Sequence, residues 1–189
     1  WLRTSSTFPE RGGASVTEFN MADFQPTGAN ITADELWANY EYFIKAVIPY
    51  AEKYGIKLGL HPDDPPVPRL GDVERIMISK ENIKKAVFGI VKSPSLGITM
   101  CQANYFIMGE DVDDTIKEFA KKIFFIHFRN TTGNINAFRE TFHDNGELQM
   151  GHLIDLYKSL GINVPIRVDH VPTLAGEDTE VAGYAAQGR

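Results

Sequence analysis

Apolar residues run unbroken from Ile123 to Ile126 and give way at once to His127, Phe128, Arg129 and Asn130. A short, continuous, aromatic-rich run predicts a strand buried on both faces, as in a parallel sheet. Here it spans 123–130 and carries an imidazole, a guanidinium and an amide at its carboxyl end. The pattern recurs three times. Ile56-Lys57-Leu58-Gly59-Leu60 runs into His61-Pro62, Leu96-Gly97-Ile98-Thr99-Met100 into Cys101-Gln102-Ala103-Asn104, and Ile166-Arg167-Val168 into Asp169-His170.

Helical periodicity fills the intervals. Thr32-Ala33-Asp34-Glu35 is a capping box that satisfies orphan amides at a helix start. The stripe Leu36, Tyr40, Phe43, Ile44, Val47 and Ala51 predicts the buried face, Gly55 the stop and Pro49 a kink. Ser79 predicts the cap of a helix over 80–91. Asp111 caps one running through Lys122, with Val112, Ile116, Phe119 and Ala120 inward. A helix over 150–160 turns Leu153, Leu156, Tyr157 and Leu160 inward and ends at Gly161. His61 to Gly71 contains four prolines, which predicts an ordered loop above the sheet. A second, polar loop holds Phe138 to His143. Residues 1–31, rich in Thr, Ser, Gly and Pro, read as a lid-like loop with a short strand over Ala14 to Phe19.

Helices alternating with strands, without hairpin signals, predict parallel strands lying side by side in chain order with right-handed crossovers. The expected class is α/β, of the parallel (β/α)8 TIM-barrel type, present as a partial barrel within a single domain over 1–189. Active residues then sit at the carboxyl ends of the strands. An open doubly wound sheet fits the alternation too, but no Gly-x-Gly-x-x-Gly follows a strand. The chain opens on Trp1 and stops at Arg189 just after Tyr184-Ala185-Ala186-Gln187, which reads as a helix beginning. Both ends look cut, and a longer parent protein is expected.

Composition narrows the classes. With 189 residues, 43% of them hydrophobic, one substantial core is available. A net charge of -6 and the lack of a basic run argue against nucleic-acid and membrane-surface roles. No apolar segment approaches the ~20 residues of a membrane span, and one cysteine allows no internal disulfide. A cytoplasmic protein is expected.

Four strand ends delivering His61, Cys101, His127 and Asp169 toward one side predict a shared metal. Each alone has a bland reading: a hydrogen-bonded histidine, or a small buried thiol. Their spacing is that of β-α units and matches no local zinc signature, and the donor set suits zinc, iron or manganese. His170 can swing over the site as acid or base. Arg129, Asn130 and His143 are candidate substrate contacts, Arg129 as a carboxylate holder. Arg167 reads as a structural ion-pair partner and His152 as surface or cap.

With these residues in place, the chain resembles the mannonate dehydratase family of hexuronate breakdown. The resemblance rests on Trp1-Leu2-Arg3-Thr4, His61-Pro62-Asp63-Asp64-Pro65-Pro66, Gly97-Ile98-Thr99-Met100-Cys101-Gln102, Ile126-His127-Phe128-Arg129-Asn130, Val168-Asp169-His170 and Gly183-Tyr184-Ala185-Ala186-Gln187-Gly188-Arg189. It covers essentially the whole chain and implies strands five to eight of the barrel. It further implies dehydration of D-mannonate to 2-keto-3-deoxy-D-gluconate with Mn2+ or Fe2+, ligation by His61, Cys101, His127 and Asp169, and proton transfer by His170 and Tyr184. A homo-oligomeric full-length protein is expected, and the 189-residue chain alone is expected to be nearly inactive. The competing readings are a metal-dependent sugar isomerase of related barrel type and a non-catalytic fragment.

Overall fold

A computed structural model describes residues 18–20, 26, 28–169 and 171–172. In chain order the elements are β1 (Glu18–Asn20), α1 (Ala33–Lys53), β2 (Leu58–Leu60), β3 (Arg69–Leu70), β4 (Val73–Glu74) and α2 (Lys80–Lys84). Then come β5 (Leu96–Cys101), α3 (Gln102–Ile107), α4 (Val112–Phe119), β6 (Ile123–His127), β7 (Thr131–Asn134), β8 (Ala137–Glu140), α5 (Met150–Ser159) and β9 (Ile166–Arg167).

The four apolar runs become β2, β5, β6 and β9, which pair in that order and all parallel. The fold is therefore α/β around a four-stranded parallel sheet. All six residues of β5 are buried, as a strand covered on both faces requires. Ile98 and Met100 meet Ile83 of α2, Ile116 and Phe119 of α4 and Leu153 of α5 in one core. Each such side chain contributes about 1.5–3 kcal/mol on full burial.

Local chemistry sets the helix ends. Thr32 accepts from the Glu35 amide at 3.3 Å while the Glu35 carboxylate accepts from the Thr32 amide at 2.9 Å, completing the capping box. α1 runs through Pro49. Ser79 accepts from the Asn82 amide at 3.1 Å and Asp111 from the Asp114 amide at 2.9 Å. Beyond α2 the helix continues over Lys85–Ile90 in a wider π-type winding.

Several expectations are corrected. Phe43 does not face the core; it is 57% exposed, because Ile44, Ile48 and Ala51 carry the buried face of α1. Leu160 is likewise exposed at the end of α5. The strand expected over 123–130 ends at His127. Hairpins are present: β3 pairs antiparallel with β4, and the stretch read as a polar loop folds into β7 and β8, to which β1 adds a third antiparallel strand. Only Ile135 and Asn136 separate β7 from β8, and such two-residue connections are the commonest hairpin loops. Gly133, at φ +100°, is required there, because a Cβ would stand 2.4 Å from the Ala137 carbonyl oxygen. A further helix, α3, starts directly after Cys101, where the chain pattern predicts only a strand end.

Candidate metal centre

Cys101 is the last residue of β5 and His127 the last of β6, while His61 follows β2 directly. One donor atom from each of the three lies within 4.8 Å of the others. The sheet register explains the convergence. Ile98 pairs with Ile123, but Thr99 pairs with Phe125, so Phe124 is an extra residue in β6. Side chains alternate faces along a strand. Had Phe124 paired with Thr99, Cys101 would stand opposite Ile126; because the register skips Phe124, Cys101 stands opposite His127 and the two share a face.

The imidazoles are prepared for different roles. His61 Nδ1 lies 2.6 Å from the Pro62 carbonyl oxygen, which can only accept, so the proton belongs on Nδ1 and the lone pair on Nε2. Nε2 is buried without a hydrogen-bond partner among the described residues. Burial lowers the His61 pKa, opposed by the nearby Asp64 and Asp169 carboxylates, and holds the ring neutral. At His127 burial also pulls downward, but Asp169 and Cys101 outweigh it and raise the pKa. The buried Cys101 thiol is raised, with His127 and Arg129 opposing.

An orphaned, buried imidazole nitrogen beside a thiol and a second imidazole is the donor set of a transition-metal site. The carbonyl bond at the other nitrogen of His61 is the usual orienting contact of a metal-binding histidine. The residues fit a divalent ion. Asp169 borders the group: its Oδ2 is 3.3 Å from His127 Nδ1, and its backbone is left-handed at φ 62°, a conformation aspartate tolerates better than most residues.

Beneath the cluster lies a charged layer. Arg129 is fully buried. Its Nε donates to Glu140 Oε2 at 2.9 Å and its Nη2 to Glu140 Oε1. Nη1 donates to Asn104 Oδ1 at 2.7 Å and Asp64 Oδ2 at 2.9 Å, and lies 3.9 Å from Cys101 Sγ. Asn104 also donates to the Asp63 carbonyl at 3.1 Å. Asp63 in turn accepts from the amides of Ile76 and Met77 and pairs with Arg75 at 3.0 Å. The proline-rich loop is thus held from below and from the side.

The cluster faces an open pocket of about 770 Å3, whose wall includes His61, Asp64, Arg75, His127, Arg167 and Asp169. Of the candidate substrate contacts, Arg129 has its donors engaged within the protein. Asn130 accepts from the amides of Thr131 and Leu148 and donates to the carbonyls of His143 and Leu148. His143 Nε2 lies 3.1 Å from the Val168 carbonyl, and its ring stacks on Phe128. His152 is exposed and pairs with Asp113. His170 and Tyr184 lie outside the described residues. Neither Glu140 nor Arg75 carries a sequence signal of a site residue. Asn104 has one, its place three residues beyond Cys101.

The family model described as D-mannonate dehydratase (UxuA) matches residues 1–189. A mannonate dehydratase of Streptococcus equi subsp. zooepidemicus is 35% identical over 165 residues, 85% of this chain and 45% of its own length. One from Brachyspira hyodysenteriae is 34% identical over 84% of this chain and 45% of its own length. The chain thus spans about half the length of these curated relatives. The crystal structure of mannonate dehydratase from Streptococcus suis serotype 2 superposes with a TM-score of 0.77 at 32% identity, covering 90% of this chain and 52% of that one.

Proposed function

The chain belongs to the D-mannonate dehydratase family, and from that premise we propose that its full-length protein dehydrates D-mannonate to 2-keto-3-deoxy-D-gluconate. The observation that carries the reading is the convergence of His61, Cys101 and His127 at three adjacent strand ends, with His61 Nε2 buried and unpartnered among the described residues. The reading also places the four-stranded sheet as the arc of strands five to eight in a (β/α)8 barrel. Support comes from the parallel order of β2, β5, β6 and β9 and from the donors at their carboxyl ends. A cytoplasmic, homo-oligomeric full-length protein completes the reading.

His61, Cys101 and His127 hold a divalent metal, Mn2+ or Fe2+, with Asp169 as the fourth ligand. When bound, the cation supplies Lewis-acid stabilisation for negative charge developing beside the substrate carboxylate. The remaining work falls to side chains. The C2–H bond must break with its proton passing to a base, and the C3–O bond must break with the leaving hydroxide taking a proton to become water. The enol left behind tautomerises to the 2-keto acid, so atoms and charges balance. His170 and Tyr184 are assigned to the two proton positions. The tautomer of His61 keeps its proton on the carbonyl side and off the pocket. The cations on the pocket wall, Arg75 and Arg167, stand where an acidic, oxygen-rich substrate would lie.

The test is a product assay on the full-length protein with added Mn2+ or Fe2+. Mannonate should yield a 2-keto acid, and an aldose should give no ketose. Ketose formation from the aldose, with mannonate inert, would overturn the dehydratase reading in favour of an isomerase.

A further inference from the structure

Arg129 is the largest fully buried side chain among the described residues, and its position follows from no need of the hydrophobic core. Taking a guanidinium out of water costs several kcal/mol and is tolerated only where carboxylates and hydrogen bonds surround it. Here they do. Glu140 takes Nε and Nη2 in a two-pronged pair, and Asp64 and Asn104 share Nη1. Those partners come from separate elements: Glu140 from β8, Asp64 from the loop after β2 that begins with His61, and Asn104 from α3, which starts directly after Cys101. Arg129 itself lies two residues beyond His127. One planar group therefore ties together the chain segments that carry all three clustered donors, with Nη1 3.9 Å from the Cys101 sulfur.

We infer that Arg129 is a positioning residue for the metal centre, locking the strand ends that carry His61, Cys101 and His127 into one geometry through Glu140, Asp64 and Asn104. The inference rests on the reading that these three residues hold a metal. A fixed fork explains why arginine stands there: the ammonium of lysine is a point charge that cannot serve a bidentate carboxylate and two further acceptors at once. An orienting shell of this kind decides how well ligands already present can close on an ion. A wholly apolar side chain would spare the burial of charge but would leave Asp64 and Glu140 beside the cluster without their cation.

The experiment is a cobalt(II) titration of the full-length protein, following the sulfur-to-cobalt charge-transfer absorption per bound ion alongside affinity. Wild type should show the band, and Cys101→Ser should bind cobalt without it. Arg129→Lys, folded by circular dichroism, should bind cobalt about 10- to 100-fold more weakly and lose most of the band. Glu140→Gln and Asp64→Asn should each give a smaller loss in the same direction, and they decide the matter if Arg129→Lys does not fold. A purely structural role would lower the melting temperature and leave the band per bound cobalt intact, which would overturn the proposal. A wild-type protein without cobalt binding would instead overturn the metal reading itself, and the positioning role with it.

Discussion

Cys101 and His127 are direct cross-strand partners in the parallel sheet, and they are so only because Phe124 is an unpaired extra residue in β6. The pairing puts a thiol and an imidazole on one face at the carboxyl end of adjacent strands, with His61 closing the group from the next strand over. Inserting one alanine between Phe125 and Ile126 should set Cys101 opposite Ile126 and turn His127 to the opposite face. Divalent metal binding should then be lost in a protein that still gives an α/β circular dichroism spectrum, as measured by metal content after dialysis. Retained binding would show that this register is not what brings the two side chains together.

Proton release should accompany metal uptake. Burial raises the Cys101 thiol, and Asp169 with Cys101 raises His127 against the effect of burial, so both hold protons more tightly than ordinary groups. A ligating sulfur must be a thiolate and a ligating imidazole neutral. Affinity is therefore weakest at low pH, where both groups are protonated. It climbs with pH until the raised values are passed and then levels. Calorimetry in buffers of different ionisation enthalpy should find about one or more protons released per ion near neutral pH. Cys101→Ser should remove the share that belongs to the thiol.

Gly97 tests the packing below the site. A Cβ added there would stand 2.3 Å from the Lys122 carbonyl oxygen and 2.6 Å from the Phe124 ring. The carbonyl is backbone and cannot swing aside, so Gly97→Ala should cost about 1–3 kcal/mol or more. Denaturant unfolding measures it.

Tyr157 offers a contrasting control away from the pocket. Its hydroxyl donates to Gln102 Oε1 at 2.9 Å in the buried core. Tyr157→Phe leaves that acceptor unsatisfied and should destabilise the fold by about 1–3 kcal/mol. Metal affinity should be unchanged, as read by titration of the folded variant.

Much of the frame is legible in the chain. The runs ending before His61, Cys101, His127 and Asp169 are short, apolar and bounded, which is what burial on both faces demands, and they form the parallel sheet in the order expected. The caps at Thr32, Ser79 and Asp111 are local chemistry, visible within four residues. The β7–β8 hairpin was hidden because its strands are polar and its turn lacks the Asn-Gly pair that usually marks one. Arg129 sits beside a strand end and so reads as a ligand for substrate; only the fold brings Glu140, Asp64 and Asn104 around it and uses up its donors. No spacing rule discloses such a meeting of residues as far apart as 64 and 129.

The central claim is that His61, Cys101 and His127 close on one ion. Anomalous diffraction from crystals of the full-length protein soaked in Mn2+ tests it most directly. The account predicts a single strong peak among the three side chains, within about 2.0–2.5 Å of His61 Nε2 and Cys101 Sγ, and absent from Cys101→Ser/His127→Ala crystals treated in the same way. A manganese peak elsewhere, with His61 Nε2 still unpartnered, would contradict it.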